Sequence, residues 1–298
     1  MKKCIRVLGN DQGHWVGDGF PVRTLFFYQE HGPQMSPFLM LDFAGPAEFT
    51  PTDKPRGVGS HPHRGFETVT IVYEGEVAHA DSAGNGGTIG PGDVQWMTAG
   101  SGILHEEFHS ELFTKQGGVL NMVQLWVNLP AQHKMSKPNY QGILDSDIPK
   151  IALQKTLPNK EPDTTGMVRV IAGTYEGIKG PANTFTPMNV FDLFIKKGET
   201  ILMPAPKGWN TSLVVLNGRL VGGDWANGPV AMDAQMLIFS QEGQDVCVTA
   251  TEDTTALKLS GEPIAEPIVG YGPFVMNTKE EIANAISDFN SGCFGKIH

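Results

Sequence analysis

An all-β fold in two domains is what this sequence predicts, and three observations carry the prediction. Short Val/Ile/Leu/Phe runs alternate with turn residues along most of the chain, which holds 36 glycines and 21 prolines. That is the pattern of strands joined by tight turns. The length, 298 residues, exceeds what most single hydrophobic cores cover and suits two domains. Finally, a stretch of the first half lies over a stretch of the second: PHRGFETVTIVYEGEV (62–77) over APKGWNTSLVVLNGRL (205–220). Gly65 then matches Gly208, Phe66 matches Trp209 and Gly75 matches Gly218, as expected of an internal repeat. After a three-residue deletion GDVQWM lies over MDAQML, so that Asp93 meets Asp233.

Taken in order, residues 20–50 hold short apolar runs broken by HGPQ and AGP. Residues 61–129 continue in the same style, with EGE, SAGNGG, GPGD and TAGSG as turns. QLWVNLP closes this run, with Gln124, Trp126 and Asn128 on one strand face and Leu125, Val127 and Leu129 on the other. A polar, proline-spotted stretch from 130 to 165 reads as a linker, and a second strand-and-turn run occupies 166–262. The expected domains are 1–133 and 134–298. Near the end, TKEEIANAISDFNSG is the one clear helix. Thr278 can cap it with Glu281 at the capping-box position, Ile282, Ile286 and Phe289 form an apolar stripe, and Gly292 can end it. It reads as a packing element.

Composition narrows the function classes. With 18% charged and 40% hydrophobic residues the chain is of the folded type. A formal net charge of −10 and the lack of any Lys/Arg-rich run argue against direct binding of nucleic acid. Cys4, Cys247 and Cys293 are odd in number and far apart, which fits a reducing compartment. The start, MKKCIRVLGNDQGHW, has no apolar run of the signal-peptide kind, and no stretch approaches the ~20 apolar residues of a membrane span. A soluble, cytoplasmic protein is expected.

The chemistry concentrates in the histidines. Residues 61, 63, 79, 105 and 109 are five of the nine histidines and fall within one window, whereas none occurs between His133 and His298. On a strand, residues i and i+2 share a face, so His61 and His63 converge on one point. His105 and Glu107 repeat that geometry, with Glu106 pointing away. Histidines that merely satisfy local hydrogen bonds need no such pairing, and two pairs of matching parity favour a metal. Two such strands paired in a small barrel would aim imidazole nitrogens and a carboxylate at one interior point, a donor set that suits a divalent transition metal. Parity alone leaves the fourth ligand open, because Glu67 shares a face with His61 and His63 and His109 shares one with His105. Zinc in a closed tetrahedral site fits as well. In the repeat register His61 and His63 fall opposite Pro204 and Pro206, and His105 and Glu107 opposite Asp245 and Cys247. The second half therefore lacks the imidazoles of the first, and one metal per chain is expected.

HxH, a glutamate four residues on and the later Gly102-x-x-His105 resemble the metal motifs of the cupin superfamily, although Gly100 stands where a proline is usual. HPHRGFETV, PGDVQWMTAGSGILHEE, QLWVNLP and GEPIAEPIVGYGPFVMNTKEEI resemble sequence blocks of the pirin family and spread over most of the chain. The resemblance implies two cupin (jelly-roll) β-barrels face to face, with metal only in the first, and a short C-terminal helix. It implies His61, His63, His105 and Glu107 as metal ligands, preferring Glu107 to Glu67, and iron (Fe2+) as the usual metal. Late first-row ions outcompete iron for such sites, so zinc, nickel or copper can occupy the site in purified material; manganese can as well, by supply rather than by affinity.

Pirins are known for two activities. Some are quercetin 2,3-dioxygenases, which open a flavonol ring with O2 and release carbon monoxide. Others are iron-dependent, redox-sensing regulators that bind a transcription factor or metabolic enzyme. The resemblance thus implies a flavonol-like aromatic substrate and O2, with Glu107 as the base for the substrate's 3-hydroxyl. A regulatory protein partner is the alternative, and a monomer is the expected state. Phe38, Phe43, Phe66 and Trp126 are available to line the substrate's route.

Overall fold

The computed structural model describes residues 1–155, 163–223 and 228–297. Twelve strands precede the midpoint: β1 (Cys4–Gly9), β2 (His14–Val16), β3 (Phe20–Phe27), β4 (Phe38–Phe49), β5 (Gly57–His63), β6 (Phe66–Glu74), β7 (Val77–Asp81), β8 (Gly86–Ile89), β9 (Val94–Thr98), β10 (Ile103–His109), β11 (Gly118–Asn128) and β12 (Asn139–Ile143). All but β1 form two antiparallel sheets, ordered β12-β9-β6-β11-β4-β3-β2 and β5-β10-β7-β8. Strand β10 shows the alternation of a half-buried strand: residues 103, 105, 107 and 109 are buried and those between are partly exposed. Strand β6 is buried along most of its length, as befits the centre of the larger sheet.

The second half repeats this plan. It contains β13 (Lys150–Lys155), β14 (Asp163–Ala172), the short pair β15 (Thr174–Tyr175) and β16 (Ile178–Lys179), β17 (Met188–Ile195), β18 (Thr200–Pro204), β19 (Asn210–Asn217), β20 (Arg219–Gly222), β21 (Val230–Met232), β22 (Gln235–Phe239), β23 (Asp245–Ala250) and β24 (Thr254–Gly261). Its sheets run β1-β22-β19-β24-β17-β14-β13 and β18-β23-β20-β21. The sheet orders therefore correspond strand for strand with those of the first half. The repeat seen in sequence has a backbone cause at its glycines. Gly65 and Gly208 both adopt left-handed φ, +87° and +86°, as do Gly75 and Gly218 at +84° and +99°. A side chain at such turns would be strained, so both copies keep glycine. The aligned site positions are also ladder-equivalent: His61 pairs with His105, and Pro204 with Asp245.

The compact units are not the contiguous halves 1–133 and 134–298. One unit comprises Met1–Asn10, Pro33–Ser36 and Ser146–Pro263; the other comprises Asp11–Gly32, Pro37–Asp145 and Ile264–His298. Strand β1 adds to the edge of β22, which assigns the amino-terminal residues to the second barrel. The tail returns to the first barrel as β25 (Val269–Tyr271), β26 (Phe274–Met276) and helix α3, defined below. Its backbone meets Arg64, which donates to Pro273 O and accepts from Val275 N. Lys134, buried, donates from Nζ to Gly65 O, Asn128 Oδ1 and Val275 O at 2.7–2.9 Å, using all three ammonium hydrogens. The expected linker is structured where described, since β12 lies inside it and completes the first large sheet; its residues 156–162 lie outside the described residues.

Three α-helices occur among the described residues: α1 (Tyr28–Met35), α2 (Glu111–Gln116) and α3 (Lys279–Asn290). The last has the expected capping box between Thr278 and Glu281, and it packs Ile282 and Ala285 against Phe274 and Met276. The first two are too short to show a helical period in sequence, although Ser110 caps α2 through Phe113 N. No helix among the described residues is long and apolar enough to cross a membrane.

The interior of the second barrel carries a fully buried lysine. Lys258 lies on β24 between Phe191 and Leu213, with Nζ 4.9 Å from the Phe191 ring centre. It has no hydrogen-bond partner among the described residues, and burial pushes its pKa down to about 7. The folded protein therefore binds fewer protons than the unfolded chain between about pH 7 and the ordinary lysine range, and stability rises with pH across that window. Below about pH 7 the full cost of the buried charge remains. Lys258→Met should stabilise the protein by about 1–4 kcal/mol near neutral pH, with the gain shrinking as pH rises toward 10. Denaturant unfolding of both proteins at several pH values checks this, and a gain constant from pH 6 to 10 would contradict it.

Candidate metal centre and cavity

Strands β5 and β10 run antiparallel with His105 directly across from His61 and Ile103 across from His63. A register shift between His105 and Glu107 brings Glu107 opposite Val58. The pleat sends His61, His63 and His105 inward together. Their ring centres lie 4.2 Å (61–105), 4.8 Å (63–105) and 4.9 Å (61–63) apart, and their donor nitrogens fall within 4.8 Å of one another. Glu107 sits in a second, adjoining trio with His105 and His79, also within 4.8 Å. Of the four residues expected as ligands, three thus form one group, and the fourth joins it through the shared His105.

The donor chemistry fits a metal ion. His63 and His105 are held well below the ordinary imidazole range by burial first and by neighbouring histidines second, so both keep a lone pair at neutral pH. His63 Nδ1 and both ring nitrogens of His105 are buried without a hydrogen-bond partner among the described residues. Unpaired buried nitrogens are costly unless something coordinates them. His61 Nδ1 lies 2.9 Å from Gly59 O, which favours the proton on Nδ1 and frees Nε2. His61, His63 and His105 form one group that could hold an ion, and His79, His105 and Glu107 form another.

The surroundings of the cluster separate the other sequence candidates. His79, which pairs across from Glu107, is stacked on Tyr140 at 5.3 Å and touches Gln95 Nε2 through Nδ1 at 3.2 Å. Its Nε2 is 3.5 Å from Asp81 Oδ2, longer than a good hydrogen bond. Sequence spacing gave His79 no partner, because only the β7–β10 pairing brings it to Glu107. His109 faces inward as its parity requires but lies elsewhere, bonded to Gly19 O at 2.9 Å and enclosed by Phe20, Phe49 and Phe113. Glu67 does not share the face of His61 and His63, because the left-handed Gly65 intervenes and resets the parity of β6. It is cross-strand from Thr98, whose hydroxyl it accepts at 2.7 Å, and burial pushes its pKa up to about 7. The opposite face of β6 presents Thr70, whose Oγ1 lies 3.2 Å from Glu107 Oε1 and 2.7 Å from Gln124 Oε1.

The cluster opens on a cavity of about 370 Å³. His61, His63, Glu107, Asp42 and Gln124 are its polar lining; Val16, Phe20, Val22, Met40, Val58, Met122, Trp126 and Pro273 complete the wall. Of the four aromatic residues considered from sequence, only Trp126 lines it. Phe66 packs behind Trp126 at 4.3 Å, and Phe38 and Phe43 are buried in the sheet away from the cavity. The size and lining suit a small aromatic molecule reaching the histidines from one side.

Comparison with known proteins identifies the family. Residues 19–127 match the family model for Pirin, and residues 190–295 match that for the Pirin C-terminal cupin domain. A crystal structure of quercetin 2,3-dioxygenase from Acinetobacter baumannii is 53% identical, covers 100% of both chains and superposes with a TM-score of 0.93. A Pseudomonas aeruginosa protein named provisionally as a quercetin 2,3-dioxygenase is 54% identical over 298 residues, 100% of each chain. Human Pirin is 38% identical over 293 residues, covering 97% of this chain and 92% of its own. With both cupin domains matched in order and relatives similar over their whole length, the chain belongs to the pirin family.

Proposed function

We propose that this pirin is a metal-dependent dioxygenase that opens flavonols such as quercetin with O2 and releases carbon monoxide, with Fe2+ as its native metal. The observation that carries the reading is the trio of inward imidazoles at the wall of an aromatic-sized apolar cavity, with His63 Nδ1 and both His105 nitrogens buried and without a partner among the described residues. A structural metal site would be closed by protein on every side, whereas this one faces open space. The names of the Acinetobacter and Pseudomonas relatives support the substrate class.

A bound divalent transition metal would supply Lewis acidity toward the substrate's hydroxyl oxygen and the electron exchange that O2 chemistry requires. The chain's own residues do the rest. His61, His63 and His105 offer neutral donors. Glu107 offers the one carboxylate among the proposed ligands, and its Oε1, beside Thr70, is the proposed acceptor for the flavonol 3-hydroxyl proton. Trp126, Met40 and Phe20 exclude water from around the ring system and hold it by its faces. Aerobic turnover of quercetin with carbon monoxide release, absent under anaerobic conditions, tests the function; iron-replete protein that leaves every flavonol intact would refute it and favour the regulatory role.

Elemental analysis should return one metal per chain, and His105→Ala should remove most of it. Two equivalents retained in that variant would place metal outside the cluster. Glu107→Gln should keep substantially more metal than His105→Ala while losing flavonol turnover by ~10²-fold or more, the usual cost of removing a positioned base. A fully active, metal-replete Glu107→Gln protein would exclude Glu107 as the base.

A further inference from the structure

The cavity has a polar row that the metal cluster does not account for. Thr24 is cross-strand from Asp42, Asp42 from Gln124, and Gln124 from Thr70, so four adjacent strands contribute one residue each along a single line. The line ends at Glu107, which Thr70 touches. Asp42 stands toward the far end, 6% exposed, with Oδ1 accepting a 2.5 Å hydrogen bond from Thr24 Oγ1. Gln124 is anchored through Oε1 by Thr70, which turns its amide NH2 away from that contact. Around this row the wall is Met40, Met122, Val22 and Trp126. A carboxylate on so apolar a wall is costly to bury, and one hydroxyl from Thr24 satisfies only part of its acceptor capacity.

We infer that Asp42 is a specificity-determining residue, accepting a hydrogen bond from a phenolic hydroxyl at the end of the substrate remote from the metal-binding one. The inference rests on the flavonol reading above and deepens it: the site selects polyhydroxylated over singly hydroxylated ring systems. Strands in a sheet are ~4.8 Å apart, so Asp42 and Thr70, two strands away, are separated by ~10 Å, a span that a multi-ring phenol with hydroxyls at both ends can bridge. A site built to hydrogen-bond a hydroxyl discriminates strongly against the analogue that lacks it.

The test compares quercetin with 3-hydroxyflavone, which keeps the 3-hydroxyl and lacks the others. Binding to the purified, metal-loaded protein is followed anaerobically by quenching of tryptophan fluorescence, and turnover is then measured in air. Asp42→Asn should weaken quercetin binding and lower its kcat/KM by about 10- to 100-fold while leaving 3-hydroxyflavone within about twofold. Thr24→Val, which removes the hydroxyl that holds Asp42, should shift quercetin in the same direction by less. Equal losses for both flavonols, or no loss for either, would overturn the inference. If the wild type binds both flavonols but consumes neither, the dioxygenase reading falls while the contrast in binding still decides the role of Asp42. Binding of neither flavonol overturns both.

Discussion

A β-strand shows its interior only every second side chain, and that rule builds the site. Strand β10 spends consecutive inward positions on His105 and Glu107, and β5 does the same with His61 and His63. Antiparallel pairing sets His105 against His61, so the donors cluster without any loop to hold them. Side chains placed on paired strands are fixed by backbone hydrogen bonds on both sides of β10, since β5 and β7 flank it. The cavity depends on the same alternation, because the inward faces of β4 and β11 supply its wall while their outward faces pack as core.

The two barrels show what this scaffold does with and without a histidine cluster. Their sheets have corresponding strand orders, and the turn glycines agree in conformation. What differs is the inward chemistry. Where His61 pairs with His105 in one barrel, Pro204 pairs with Asp245 in the other. Thr70 of the first barrel has Gln124 as a ladder partner, and its repeat counterpart Leu213 has Lys258. Around that lysine the second barrel is packed by Phe191, Leu213, Val215 and Ala256, so its interior is a hydrophobic core. The same topology thus serves chemistry in one copy and packing in the other.

Much of this was readable before any coordinates. The all-β class followed from turn chemistry, the duplication from Gly65 and Gly208, and the histidine pairs from parity along single strands. Features that needed neighbouring strands were not readable. His79 meets Glu107 only because β7 lies beside β10, and sequence spacing carries no record of which strands are adjacent. Glu67 misleads for a related reason: counting by twos holds within one strand, and the left-handed Gly65 ends the count. Helices α1 and α2 are too short to display a period. The exchange of terminal segments between units escaped as well, because an edge strand such as β1 looks like any other strand until its partner is known.

That exchange has a consequence for how the molecule comes into being. A ribosome delivers the chain from its amino terminus, and domains ordinarily fold as they emerge. Here Cys4–Gly9 wait for a partner, since β1 pairs with β22. The histidine-bearing barrel is almost wholly synthesised by Asp145, yet its unit includes Ile264–His298, which follow the second barrel in the chain. Until Val275 arrives, the Lys134 ammonium lacks one of its three acceptors, and the backbone at Arg64, next to His63, lacks its tail contacts. The first barrel can therefore be finished only after the residues of the second have been made, because Val275, which closes the Lys134 contact, follows them in the chain.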